Sequence, residues 1–137
     1  MTSRFTLDTN ILSYYIRGNE DISSRLKTEL SKGNKLVMNP IAYYEINRGL
    51  LAINSQKKLQ KFKGFCRKFG VLELSLDVLD IAANKYADLK KRGKLVEDAD
   101  LFIAAICLAN DLVLITNNEK HFRHIDGLKI NNWVNEL

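Results

Sequence analysis

Little in this chain could staple, anchor or export it. Its 137 residues include two cysteines, Cys66 and Cys107, both in apolar stretches that look helical. In a cytosolic chain such thiols read as free core residues, not as a disulfide or half of a metal site. The longest apolar run, Leu101 to Ala109, falls far short of the roughly 20 residues a bilayer demands. Met1-Thr2-Ser3-Arg4 lacks the apolar core of a secretory signal, so the expected location is cytoplasmic, with no membrane partner. The 7 glycines nowhere gather into a phosphate-cradling loop, no Walker-type lysine follows one, and no serine sits in a nucleophile elbow. Repeats, linkers and low-complexity tracts are missing too, so residues 1–137 read as a single domain.

What is present is ordinary in bulk and informative in distribution. An apolar fraction of 46% and a charged fraction of 27% suit a soluble globular protein with a real core. The net charge of +5 is moderate. Between Ser55 and Phe69, however, Lys57, Lys58, Lys61, Lys63, Arg67 and Lys68 occur with no acid among them. They form either a solvated face opposite Leu59, Phe62, Phe65, Cys66 and Phe69, or cations that hold a phosphodiester strand beside an acidic pocket.

Short apolar runs alternate with helical patterns. The first strand is Arg4 to Leu7, followed by a helix through Leu12 and Ile16 and another from about Asp21 to Ser31. A second strand, Lys35 to Met38, meets Asn39-Pro40, where a favoured N-cap precedes a residue favoured at the first helical position. The basic helix fills Ser55 to Phe69. A third strand, Val71 to Leu74, leads to a helix from Leu76 to Lys91, with Ile81, Tyr86 and Leu89 as core candidates. A helix over Ala99 to Ala109 is apolar almost all round and must be buried. The run Leu112 to Ile115 reads as a parallel strand covered on both faces. A weak strand near Leu128 to Ile130 and the apolar anchor Trp133 follow. This alternation predicts an α/β three-layer sandwich with a mainly parallel central sheet.

Acids recur at its junctions. Asp8 ends the first strand, Glu97-Asp98-Ala99-Asp100 opens the apolar helix, and Glu45 shares a helix face with Ile41 and Arg48. Thr116-Asn117-Asn118 follows the fourth strand. In a parallel sheet the strands' C-terminal ends share one edge, where open α/β sheets bind ligands. Two unit charges 4 Å apart cost about 4 kcal/mol at an effective dielectric of 20. A fold keeps such a cluster when protons or a cation neutralise it, and all-oxygen ligation selects Mg2+ or Mn2+. Each acid also has a structural role open to it: Asp8 and Asp98 as helix caps, Glu97 and Asp100 as partners of a helix dipole, Glu45 as half of a surface pair with Arg48. His121 and His124, with no acid or cysteine at ligand spacing, read as surface or packing residues.

In this order and spacing, Leu7-Asp8-Thr9-Asn10, Glu45, Asp100-Leu101-Phe102-Ile103-Ala104-Ala105 and Thr116-Asn117-Asn118 before Phe122 resemble the PIN-domain family, and within it the VapC toxins of toxin–antitoxin pairs. The resemblance implies an Mg2+-dependent endoribonuclease. It makes Asp8 and Asp100 the principal metal ligands, with Glu45 ligating directly or through water and orienting the attacking water. Asp98 would stand behind them or hold a second ion, and Thr9, Asn10, Thr116 and Asn118 would support ligands or water. It further implies an RNA substrate, a VapB-type antitoxin with a segment in the active-site groove, and a homodimer. Arg48, Lys57, Lys58 and Lys61 are the candidate RNA contacts. Neutral Asn117 and Asn118 stand where many members carry an acid, which favours one tightly held ion. Two other classes remain: a non-catalytic RNA- or partner-binding module, and an aspartate phosphotransferase of the haloacid dehalogenase type. The latter needs an acid two residues after Asp8, where this chain has Asn10.

Overall fold

The N-terminal strand occupies the middle of the sheet, and everything that positions the acids follows from that. The computed structural model describes residues 2–134. Among them, β1 (Arg4–Leu7), β2 (Lys35–Leu36), β3 (Val113–Ile115) and β4 (Lys129–Asn131) form one sheet in the order β2-β1-β3-β4. Every pairing is parallel: Phe5 lies between Leu36 and Val113, and Ile115 pairs with Asn131. The helices are α1 (Thr9–Ile16), α2 (Glu20–Ser31), α3 (Pro40–Ala52), α4 (Gln56–Phe69), α5 (Leu76–Lys91), α6 (Asp98–Asn110) and the short α7 (Glu119–Phe122).

Side chains alternate across a strand, so neighbouring residues feed opposite layers. Phe5, Leu7 and Ile115 pack with Ile11, Leu26, Ile46 and Phe62 of α1 to α4, while Leu114 packs with Val78, Leu89, Ile103 and Phe122 of α5 to α7. This is the expected three-layer α/β/α sandwich. Helix α6 is buried at Leu101 and at every residue from Ile103 to Cys107, as its unbroken apolar character requires. Trp133 closes one end, its ring 5.4 Å from Phe5 and beneath the Arg25 guanidinium at 5.6 Å. No helix among the described residues is long and apolar enough to cross a membrane.

The structure departs from expectation in several places. The second strand stops at Leu36, and the expected strand Val71 to Leu74 reduces to one parallel bridge between Val71 and Met38. Val71 and Leu74 remain exposed, and Ser75 turns the chain into α5 by accepting the Val78 N–H, so no buried face favours a longer ladder. Tyr86 is 43% exposed, because α5 docks through Val78, Ala82 and Leu89 and leaves the ring at the margin near the Lys90 ammonium. Helix α2 starts at Glu20, one residue early, since Asn19 caps it by accepting the Ile22 N–H at 3.0 Å. The last strand lies one residue later than expected, at Lys129–Asn131, in register with β3.

Candidate active site

Between β1 and β3 the strand order reverses direction, and in open α/β sheets the crevice at such a point collects ligands. Asp8 leaves β1 there, its N–H on the Ile115 carbonyl at 2.9 Å, and Thr116 leaves β3 with its N–H on the Asn131 carbonyl at 3.0 Å. Asp8 is both a helix cap and a site acid. One carboxylate oxygen accepts the Thr9 N–H at 2.8 Å and the other accepts the Thr116 hydroxyl at 2.8 Å. Thr116 Oγ1 in turn accepts the backbone N–H of Asn118 at 2.9 Å. Asp8 is only 5% exposed. Burial pushes its proton affinity up, the Thr116 and Thr9 hydrogen bonds draw it down, Glu45's charge raises it and His121 lowers it; the net direction is upward.

Helix α3 hangs from the end of β1 through Asn39, which is completely buried. Its Oδ1 accepts the Ala42 N–H at 2.8 Å, while Nδ2 donates to the Leu7 carbonyl at 3.0 Å and to Thr6 Oγ1 at 3.3 Å. Pro40 occupies the first turn, where its missing N–H costs nothing. The helix so placed brings Glu45 to α1, where Oε1 accepts the Thr9 hydroxyl at 2.6 Å. Arg48 lies 3.6 Å from the other oxygen with its side chain 59% exposed, so that pair contributes little to stability.

From the opposite layer, α6 supplies Asp100 in its first turn. Its Oδ2 meets His121 Nδ1 at 3.0 Å. Burial, then the charge of Asp8, raises its proton affinity, and His121 opposes them. Asp98 is not the cap: Glu97 holds that position, without a side-chain cap bond, and Asp98 is the first helical residue. Asp98 is exposed and makes no side-chain hydrogen bond or ion pair among the described residues; Glu97, not Asp98, acts on Asp100. His121 is exposed, as expected for a surface residue, and it also meets Asp100, a contact the sequence reading did not anticipate. Its acid partner is 21 residues away in sequence and meets it only through folding. The signal was positional, since α7 follows Thr116–Asn118 and so lies at the same sheet edge.

Glu45 thus acts electrostatically on Asp8, and Asp8 on Asp100. Among the described residues no three His, Cys, Asp or Glu side chains close into a ready-made cage. A cation held by one or two carboxylates and several waters does not require such a cage. Asn117 Oδ1, next to Thr116, is a buried acceptor with no donor. On one side of the acids, α1 and α3 border a cleft of about 320 Å3 whose lining includes Thr9, Asn10, Glu45, Arg17 and Lys58. On the other lies a polar hollow of about 590 Å3 whose walls include Asn117, Asn118, Lys120, His121 and Arg123. Of the basic candidates on α4, Lys58 reaches the acid cleft, Lys61 faces a separate hollow and Lys57 is simply exposed. The thiols offer no rival chemistry: both are free and buried, and burial pushes Cys66 up to about 11 and Cys107 up to about 12.

Thr9 and His121 orient acids from behind, and losing such a partner typically costs about 10–100-fold in metal affinity or activity. Thr9→Val and His121→Ala are therefore each expected to slow turnover about tenfold, with the fold retained. Steady-state kinetics beside a melting curve checks this; full activity in either variant would remove that residue from the site.

The comparisons agree with this geometry. The PIN domain profile matches residues 5–128. The ribonuclease VapC1 of Haemophilus influenzae is 30% identical over 132 residues, covering 95% of this chain and 98% of the relative. The tRNA(fMet)-specific endonuclease VapC of Shigella flexneri is 29% identical, covering 95% and 98%. Among solved structures, DNA-bound VapBC from Salmonella typhimurium superposes with a TM-score of 0.84 at 26% identity, covering 96% of this chain and 98% of that one. VapBC2 from Rickettsia felis, bound to a promoter DNA fragment, gives 0.82 at 28%, covering 95% and 98%.

Proposed function

We propose that this chain, which belongs to the PIN-domain family and within it to the VapC type, is the ribonuclease toxin of a VapBC-type pair and hydrolyses RNA phosphodiesters at an Mg2+ or Mn2+ site. The observation that carries the reading is the pair Asp8 and Asp100, supplied by the end of β1 and the first turn of α6, both with raised proton affinity and with the charge of Asp8 acting on Asp100.

Asp8 and Asp100 would hold the ion, with Glu45 beside them directly or through water. When bound, the ion supplies charge for the phosphate oxygens and a water of lowered pKa. Thr116 and the Thr9 amide keep both Asp8 oxygens oriented, and the Thr9 hydroxyl fixes Glu45 at Oε1. His121 holds Asp100 at Oδ2. Glu45 Oε2, whose contact is the long and exposed one to Arg48, is the oxygen that would orient the attacking water, and Lys58 and Arg17 in the same cleft offer charge to the strand. The VapBC assemblies with this fold support a VapB-type antitoxin as the inhibitory partner.

Purified chain incubated with RNA is expected to cut it with Mg2+ or Mn2+ present, to stop on adding EDTA and to resume when the ion is restored. Mapping of new RNA 5′ ends after induced expression would identify the target. Cleavage that persists in EDTA would overturn the metal-dependent mechanism. No cleavage under any ion, with RNA still bound, would favour the binding-module reading.

A further inference from the structure

Helix α4 carries more positive charge than the acid cleft uses. Lys58, Lys61, Phe65 and Lys68 recur along one stripe of it, while Phe62 and Cys66 face the core. Lys58, Lys61 and Lys68 are exposed, and among the described residues none takes part in a salt bridge. A merely solvated face needs no cavity, yet Lys61, Lys68, Tyr15 and Phe65 line a hollow of about 230 Å3 where α4 meets α1. Its aromatic wall is preformed, with the Tyr15 and Phe65 rings 4.9 Å apart and tilted 37°. The hollow is smaller than the clefts of about 300–1,000 Å3 that take drug-sized ligands. Ile16 lines both this hollow and the cleft that holds Thr9, Glu45 and Lys58, so the two adjoin.

We infer that this path carries one arm of the RNA strand away from the acids. Lys58, Lys61 and Lys68 contact successive phosphates, and the Tyr15–Phe65 hollow takes one unpaired base. Single-strand binders combine a basic track with aromatic platforms in this way, and a run of cations without an acid is complementary to a polyanion. A duplex, whose bases are stacked inside, could not use the hollow. The inference rests on the nuclease reading and adds to it where the strand lies and that it is single-stranded there.

The test uses the full chain carrying Asp8→Asn, so that bound RNA stays intact, and a fluorescent oligouridine of about ten nucleotides. Adding Lys61→Ala with Lys68→Ala is expected to weaken binding about 10- to 100-fold at low salt. It should also flatten the slope of log K against log salt by about 1.4, the loss of two single-strand phosphate contacts at about 0.7 each. Phe65→Leu, which keeps apolar packing but loses the ring, is expected to weaken binding about tenfold with the salt slope unchanged. A 4-thiouridine probe should crosslink at Tyr15 or Phe65. Affinity and slope untouched by the double substitution, when the chain with Asp8 restored cuts RNA, would overturn the path and leave the nuclease reading standing. A parent that neither binds nor cuts RNA would overturn both.

Discussion

Replacing Asp8 or Asp100 by Asn is expected to lower RNA cleavage by about three orders of magnitude, the scale of losing one key electrostatic group, and to raise the melting temperature of the metal-free protein. The two effects share a cause. Folding lifts the proton affinity of both carboxyls, through burial first. A carboxyl raised in this way contributes stability that is fully present below its unfolded pKa and lost as pH rises through its folded value. The ionised form of both groups is therefore the one the fold disfavours. Asn keeps the size and removes the charge; at position 8 its oxygen can still accept the Thr9 N–H, while its NH2 turns a donor toward Thr116 Oγ1. Melting curves in EDTA should place the Asn variants above the parent at pH 7, with the gap narrowing as pH falls toward 5. Mg2+ should reverse the order, stabilising the parent more than either variant. If both Asn variants melted below the parent in EDTA, or if Mg2+ raised all three equally, the shared-cation site would be wrong.

The second large effect is structural. Asn39→Ala should destabilise the chain by about 3 kcal/mol: about 1 for the lost cap bond to the Ala42 N–H, and the rest for the buried Leu7 carbonyl left without its donor. For a chain of 137 residues that corresponds to a fall of about 10 °C in melting temperature. Asn39→Ser separates the contributions, since a serine hydroxyl keeps an N-cap acceptor for Ala42 and loses the donor to Leu7. It should fall between parent and Ala. Because the Leu7 carbonyl immediately precedes Asp8, activity should drop in both variants even at temperatures where they remain folded. A loss under 1 kcal/mol in Asn39→Ala would show that α3 docks without this bond.

Elements whose signals are local were legible in the sequence. Asn39-Pro40 announced α3 through capping chemistry, and the unbroken apolar run of α6 announced its burial. The placement of Asp8 rested on strand polarity, which is a rule about edges and needs no partner. What escaped depended on partners distant in sequence. Val71 to Leu74 has strand composition, but whether a ladder forms depends on a neighbour, and Met38 offers a single bridge. Tyr86 lies beside the stripe that docks on α6, and a ring at the edge of an apolar face reads the same in sequence whether covered or not. His121 was set aside because ligand spacing was sought along the chain, whereas Asp100 approaches it from another helix. Asn39 was recognised as a cap; its second task, donating to β1, is invisible until the strand and helix are docked.

The central position of β1 has a consequence for biosynthesis. Its neighbours are β2 and β3, and the carboxylate that follows it is steadied by Thr116, more than a hundred residues later (a separation of 108). While the polypeptide is still emerging from the ribosome, the first strand has only β2 to pair with. The cutting centre cannot assemble until translation has passed Asp100, Thr116 and His121 and that stretch has folded back against the beginning. A chain truncated before the third strand lacks Thr116 and His121, and on the nuclease reading it is expected not to cut RNA.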